Sequence, residues 1–426
     1  MSSFFKRINK FEPRGFLPQL EIFWKKAEGV FVFDKNNKRY LDFTSAIFLS
    51  NIGHANKKLI SSLQKVLNSK IIHSYNYPNP FREKYVKELL KFYGKKIKKK
   101  VFLLSGGSET LECAIKLVRL YGAKVNKEKK IIITLDGNWH GRTMGSQMLS
   151  SNKKAKEWIG YSDPSIRHLE FPYPWKVKEF NGKSFFLNSL KAMKIKYKNI
   201  AGIILEAFQG WGCFFYPKSY IKALERFCLK NKILLVFDEM QSGFGRTGEK
   251  FGYCHYDVEP NIICCGKGMG SGVPISGIIG DSKILDLAER GSLSSTHSAN
   301  PLACAAGLAT LKELKNKSLI KKTKKLGLIF NDWLIGLKNR FSKYILLTSS
   351  KGLIGAIIFK DISSKKNGSF IASKICNFAL KRGLILVNTG RNSIKIGPPL
   401  VINEKQLSFG FSIIESSFKD FIKEFN

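Results

Sequence analysis

The run Ile233-Leu234-Leu235-Val236-Phe237-Asp238-Glu239-Met240-Gln241 decides the fold. A continuous apolar run that ends in an acid reads as a strand buried on both faces, in a sheet covered by helices. In open α/β sheets of this kind ligands gather at the carboxyl ends of the strands, and that is where Asp238 stands. A second apolar run, Ile262-Ile263-Cys264-Cys265, leads into Gly266-Lys267-Gly268-Met269-Gly270. Here a lone lysine sits between glycines that let the backbone approach something closely.

Taken singly, an Asp at a strand end is also a turn former or helix cap, and Gly-Lys-Gly is a common solvated turn. Taken together, the two suit an aldehyde cofactor built on a pyridine ring. Such a cofactor needs a lysine to hold it as a Schiff base and a carboxylate to keep the ring nitrogen protonated. Between the two lies Gln241-Ser242-Gly243-Phe244-Gly245-Arg246-Thr247-Gly248, and here the chain resembles the class III pyridoxal-phosphate aminotransferases, the group of the acetylornithine, ornithine and 4-aminobutyrate enzymes. The resemblance runs nearly continuously over residues 200–280, from Ile204-Leu205-Glu206 and Gln209-Gly210 to Pro274 and Gly280. It implies an α/β chain of the fold type I transferases, with a large domain whose mostly parallel central sheet is covered by helices and a smaller α+β domain. It implies pyridoxal 5'-phosphate as cofactor, Lys267 as the Schiff-base lysine, Asp238 as partner of the ring nitrogen, and Gln241 as neighbour of the phenolic oxygen.

Upstream, Val101-Phe102-Leu103-Leu104 reads as a strand, Ser105-Gly106-Gly107-Ser108 as a tight turn, and Glu109 to Arg119 as a helix with Leu111, Ala114, Ile115 and Val118 on one face. Free amides at a helix start, its dipole, and glycines that permit close approach suit a phosphate, though the same arrangement often binds nothing. The resemblance implies a phosphate cradle at Gly107 and Ser108, with Gly106 replacing the family's first serine and with Glu109, Glu112 and Lys116 also matching. Next comes the strand Ile131-Ile132-Ile133-Thr134, followed by Asn138-Trp139-His140-Gly141-Arg142-Thr143. A flat aromatic can stack on a pyridine ring and a guanidinium can grip a carboxylate with two bonds. By resemblance Trp139 stacks on the cofactor where the family has Tyr or Phe, His140 joins the cofactor site, and Arg142 anchors a substrate carboxylate; a surface ion pair is the plain alternative for Arg142.

The resemblance also implies that Glu206 pairs with a cation from Asn392-Ser393-Ile394-Lys395-Ile396-Gly397-Pro398-Pro399-Leu400. Lys395 stands there where the family has arginine, and a lysine lacks the planar fork. Arg391 is a nearby substitute. In Ser295-Thr296-His297, Thr296 matches the family's threonine that reaches the partner subunit's cofactor phosphate, which implies a homodimer with shared active sites. His297 stands where an aromatic is usual.

The amino-terminal runs Gly29–Asp34 and Arg39–Phe43 alternate as a hairpin around Lys35-Asn36-Asn37-Lys38. Ala46 occupies a place where the family usually has glycine, and Ile47, Tyr75 and Tyr77 fall where the family's substrate mouth lies, although such residues are more often core. Residues 151–199 match the family least, and their loop Phe171-Pro172-Tyr173-Pro174-Trp175 either shapes the entrance or covers an apolar edge. After Pro301 the pattern turns helical, then Ile354–Phe359, Leu384–Val387 and Ile394–Ile396 read as strands before a terminal helix. The chain thus divides into an amino-terminal segment (1–60), a large cofactor-binding domain (61–300) and a small domain (301–426).

With 426 residues, 44% of them hydrophobic, the chain can bury one large core and a second smaller one. No apolar run approaches a membrane span and Met1 to Phe16 carries no signal-like run, which predicts a cytoplasmic protein without a membrane partner. The 72 basic and 32 acidic residues leave a net charge of +40. Lysines scattered through the helices and clustered at Lys95–Lys100, beside abundant Ile, Asn and Phe, fit AT-rich codons rather than a specific nucleic-acid partner. A basic nucleic-acid-binding protein is the alternative that charge alone favours. Eight cysteines without a Cys-x-x-Cys pair read as reduced thiols, and neither a metal signature nor a phosphate loop ending in Gly-Lys-Ser/Thr is present. The expected function is transfer of an amino group from an amine or ω-amino acid to an oxo acid, with a same-fold aminomutase or decarboxylase as the alternative within the fold.

Overall fold

A computed structural model of the chain describes residues 7–425 apart from 9, 14, 16–19, 95–97, 294 and 317. Most of Met1–Phe16 and residues 95–97 of the lysine cluster therefore lie outside the described residues. The strands run in chain order as β1 (Trp24–Glu28), β2 (Phe31–Asp34), β3 (Arg39–Asp42), β4 (Lys99–Leu104), β5 (Ile131–Leu135), β6 (Ile166–Leu169), β7 (Ile200–Glu206), β8 (Leu234–Asp238), β9 (Ile262–Cys265) and β10 (Ser276–Asp281). They continue as β11 (Ile345–Lys351), β12 (Ile354–Phe359), β13 (Leu384–Ile385), β14 (Val387–Asn388) and β15 (Ser393–Ile396).

Seven strands form the central sheet in the order β4-β10-β9-β8-β7-β5-β6. Only β10 is reversed, antiparallel to both β4 and β9, so the sheet is mostly parallel as expected. Every residue of β7, β8 and β9 is buried, and successive side chains go to opposite faces. Leu235 and Phe237 join one apolar cluster while Leu234 and Val236 join the other. Both faces are thus covered, which is why β8 reads as an unbroken apolar run.

The hairpin β2–β3 forms at the expected place. Asp34 Oδ1 accepts from the amides of Asn36 and Lys38, both at 2.9 Å, and so closes the turn. The stretch Leu384–Val387, expected as one strand, divides in two. β13 pairs in parallel with β3, whereas β14 pairs with β15 in a separate antiparallel sheet ordered β11-β12-β15-β14. The carboxy-terminal part of the chain is thereby stitched to the amino-terminal meander.

Between the meander and the sheet, Ser45, Ala46, Ile47 and Phe48 all take left-handed backbone angles, with φ from 49° to 67°. Each such residue costs roughly 1–2 kcal/mol without glycine's freedom, so neighbouring contacts must hold the turn. Asp42, fully buried, does much of this: Oδ1 accepts from the Thr44 amide at 2.7 Å and hydroxyl at 2.6 Å, and Oδ2 from the Ala46 amide at 3.1 Å. Ser45 Oγ adds a bond to the Gly397 carbonyl at 2.6 Å. Ala46 is left-handed at the place where the resemblance leads one to expect glycine. Among the described residues no helix is long and apolar enough to cross a membrane, and no group of three or more metal-ligating side chains occurs. All eight cysteines are free and all but Cys254 are buried.

Candidate active site

A cavity of about 230 Å³ opens at the carboxyl ends of β5, β8 and β9 and at the start of the helix Gly107–Val125. Larger clefts, of about 690, 680, 500 and 430 Å³, lie elsewhere on the chain and hold none of the expected site residues. In the smaller cavity Asp238, His140, Arg142 and Lys267 converge, which marks it as the site.

Asp238 ends β8 and is only 4% exposed. Its Oδ1 accepts from the Met240 amide and its Oδ2 lies against His140 Nδ1, both at 2.9 Å. On the far side of the imidazole, the Asn138 amide at 3.5 Å and the Thr134 hydroxyl at 3.3 Å face Nε2. An ionised carboxylate only accepts and an amide nitrogen only donates, so the network assigns the Nδ1–H tautomer, donating to Asp238. His140 therefore orients the buried carboxylate.

Lys267 opens a one-turn helix with φ of 46°. Gly268 is needed beside it, because a Cβ there would stand 2.2 Å from Asn51 Nδ2. Burial pulls the Lys267 amine below its ordinary value, with Asp238 and Glu206 pulling the other way. Desolvation thus shifts the balance toward the neutral amine, the form that acts as nucleophile and base.

At the other end of the cavity, Gly107 and Ser108 occupy the first turn of a 19-residue helix, where amides have no acceptor within the helix. Glu109 Oε2 accepts from the amides of Ser105 at 3.0 Å and Gly106 at 2.9 Å, which locks the strand-to-helix turn. Gly141, at φ 144°, packs so tightly on Ser108 that a Cβ would lie 2.4 Å from the hydroxyl, and the Arg142 amide donates to that hydroxyl at 3.2 Å. The Arg142 guanidinium is exposed and lies over the Trp139 ring, 4.7 Å from its centroid; among the described residues it has no carboxylate at ion-pair distance. Trp139 is 40% exposed and lines the cavity.

Glu206, Gln241 and Lys395 form a relay at the edge of the cavity. Glu206 Oε2 accepts from the Trp139 amide at 3.0 Å and the Gly210 amide at 3.3 Å, and Oε1 accepts from Gln241 Nε2 at 3.0 Å. Gln241 Oε1 accepts from Lys395. The glutamate and lysine thus meet through an amide rather than face to face. Burial pushes Glu206 up to about 7, against the pull of His140 and Lys395, and brings Lys395 down to about 8. Arg391 is exposed and lies over the Trp211 ring at 5.1 Å.

Thr296 is exposed and does not line this cavity, but its neighbour Ser295 is moored to Glu109 Oε1 at 3.0 Å. Tyr75, Tyr77 and Ile47 are likewise exposed and outside the cavity. Tyr173 and Trp175 of the proline-rich loop stack on each other at 4.5 Å and pack on Phe214, so this loop covers an apolar edge. Sequence reasoning missed Met240 as a lining residue. The alternation of the strand, carried two residues past Asp238, is the signal that marks it.

These residues fit pyridoxal phosphate on the structure alone. First-turn amides and an unpaired guanidinium suit a phosphate, an exposed aromatic face suits a ring, a buried oriented carboxylate suits a protonated ring nitrogen, and a desolvated lysine suits an aldehyde. Gly141 leaves open the space beside Ser108 that a Cβ would fill.

The probable 4-aminobutyrate aminotransferase of Bacillus subtilis is 30% identical over 419 residues, covering 92% of each chain. Ornithine aminotransferase of Saccharomyces cerevisiae is 32% identical, covering 95% of each. Among solved structures, a transaminase from the marine bacterium Virgibacillus superposes with a TM-score of 0.89 over 100% of both chains at 23% identity, a likeness of fold. The sequence pattern of the class-III aminotransferases matches residues 15–418. The chain belongs to that family, and it is a pyridoxal-phosphate-dependent transaminase.

Proposed function

We propose that this transaminase takes its amino group from an amine or an ω-amino acid, passes it to an oxo acid, and uses Lys267 both to hold the cofactor and to move the proton. The observation that carries this is the convergence of Lys267 and Asp238 on one small cavity that also has first-turn helix amides.

When bound, pyridoxal phosphate supplies an aldehyde for the amine and a protonated pyridine ring that accepts the electrons left by a departing proton. Lys267 would hold the aldehyde end through Nζ. As a free amine, its proton affinity lowered by burial, it is the base that takes a proton from the donor carbon and returns it. Asp238, oriented by His140, would hold the ring protonated. Gly107, Ser108 and the free guanidinium of Arg142 serve the phosphate or a substrate carboxylate, Trp139 offers its face, and Gln241 offers its amide. Glu206, buried behind Gln241 and fixed by three hydrogen bonds, is an acidic group that favours a donor with a second cationic centre.

We also propose a cytoplasmic homodimer with sites completed across the interface. Exposed Ile60, Leu67, Ile71 and Ile72 on one short stretch support a buried partner face, and Thr296 is free to reach another subunit. Eight reduced thiols favour the cytoplasm. The cofactor residues fall within 61–300, with Lys395 contributed by 301–426.

The test is the visible spectrum of the loaded protein, challenged with amino acids, diamines and ω-amino acids. A band that one donor bleaches and an oxo acid restores is expected. No band after incubation with pyridoxal phosphate would overturn the assignment.

A further inference from the structure

Lys395 projects from β15 into a buried place where its ammonium lies 4.7 Å from the centroid of the Phe48 ring and 5.7 Å from that of Phe208. Its hydrogen bond goes to Gln241 Oε1, while the nitrogen of the same amide donates to Glu206 Oε1 at 3.0 Å. Glu206 cannot turn away, because two main-chain amides hold its other oxygen. Gln241 lines the cavity.

We infer that Lys395 is a positioning residue: it fixes the side-chain amide of Gln241 in one orientation, carbonyl toward the ammonium and nitrogen toward Glu206, and so decides which hydrogen bond Gln241 offers inside the cavity. An ammonium has donors only, so the amide carbonyl must face it. Glu206 alone does not settle the matter. Burial raises its carboxyl and so favours the protonated form, which can donate as well as accept and could face either end of an amide. Lysine supplies the missing constraint. The left-handed turn at 45–48 contributes as well, since it places Phe48 under Lys395 and is tied by Ser45 to Gly397, two residues beyond the lysine.

The inference rests on the reading that this cavity holds pyridoxal phosphate, and the test separates the two. Visible circular dichroism of the loaded protein reports how the cofactor is seated, so wild type is compared with Lys395→Arg, Lys395→Met, Gln241→Ala and the Met/Ala double variant. A crystal structure of Lys395→Met without cofactor shows whether Gln241 keeps its place against Glu206. Lys395→Arg should keep the wild-type signal, since it restores a cationic donor. Lys395→Met and Gln241→Ala should each lose most of it, and in the Ala background the Met change should add nothing. In the crystal, Gln241 should leave Glu206. Additive effects, a wild-type signal in Gln241→Ala, or an unmoved Gln241 in the Lys395→Met crystal would overturn the inference. If wild type shows no visible band with pyridoxal phosphate, the cofactor reading fails, while the crystal structure still decides what Lys395 does to Gln241.

Discussion

Arg246→Lys should destabilise the protein by roughly 3–6 kcal/mol although the charge is kept. Arg246 is 1% exposed and its guanidinium reaches in two directions. One terminal nitrogen donates to the carbonyls of Leu353 at 2.9 Å and Pro398 at 2.5 Å, the other to Ser45 Oγ at 3.1 Å and Asn51 Oδ1 at 2.6 Å. Burial brings the guanidinium down to about 9, with Asp42 opposing, and no carboxylate lies at ion-pair distance among the described residues. Hydrogen bonds therefore offset the cost of burying the charge. A lysine ammonium keeps that cost but occupies one end of the fork, so it gives up about two of the four bonds, each worth roughly 1.5–3 kcal/mol when the donor is charged. Urea unfolding of the cofactor-free protein, compared by midpoint at equal slope, measures the loss. Because Asn51 also packs against Gly268, cofactor loading should weaken as well. A loss under about 1 kcal/mol with normal loading would show that the four bonds do not hold these segments, and would refute the reasoning.

Lys267→Ala should abolish turnover while leaving the fold intact by far-ultraviolet circular dichroism, and ordinary turnover in this variant would sink the proposed role. Gly268→Ala should push Asn51 from its bonds to Phe244 and Arg246, cost about 1–3 kcal/mol, and reduce pyridoxal phosphate occupancy in a loading titration. Glu206→Gln removes a negative charge that raises the Lys267 pKa, so the neutral amine should persist to lower pH. The pH dependence of Lys267 labelling in cofactor-free protein should then move downward, and an upward move would contradict the charge argument.

Much of this was legible in the chain, for a physical reason. A strand buried on both faces has to be apolar throughout, so β8 and β12 announce themselves, and the acid that ends β8 stands out against that background. The helix start at Gly107 and the lysine between glycines are local signals of the same kind. Periodicity does not name a strand's neighbour, however. Leu384–Val387 carries one pattern yet serves two sheets, because each pair of residues finds its partner far along the chain. The Gln241–Lys395 contact spans 154 residues, and nothing near either residue signals it.

The residues around Phe48 show where sequence reading runs out. Four left-handed residues without a glycine conflict with local preference, and such conflicts persist only when the surroundings over-determine them. Here the surroundings are two buried cations. Lys395 lies 4.7 Å from the centroid of the Phe48 ring and the Arg246 guanidinium 5.9 Å from it, while Ser45 in the same turn bonds to both Arg246 and the Gly397 carbonyl. One cation binds the amino-terminal segment to the carboxy-terminal one, and the other fixes a side chain of the cavity. The strain of the turn places a single aromatic ring beside both, so the stability of this junction and the geometry of the cavity depend on the same four residues.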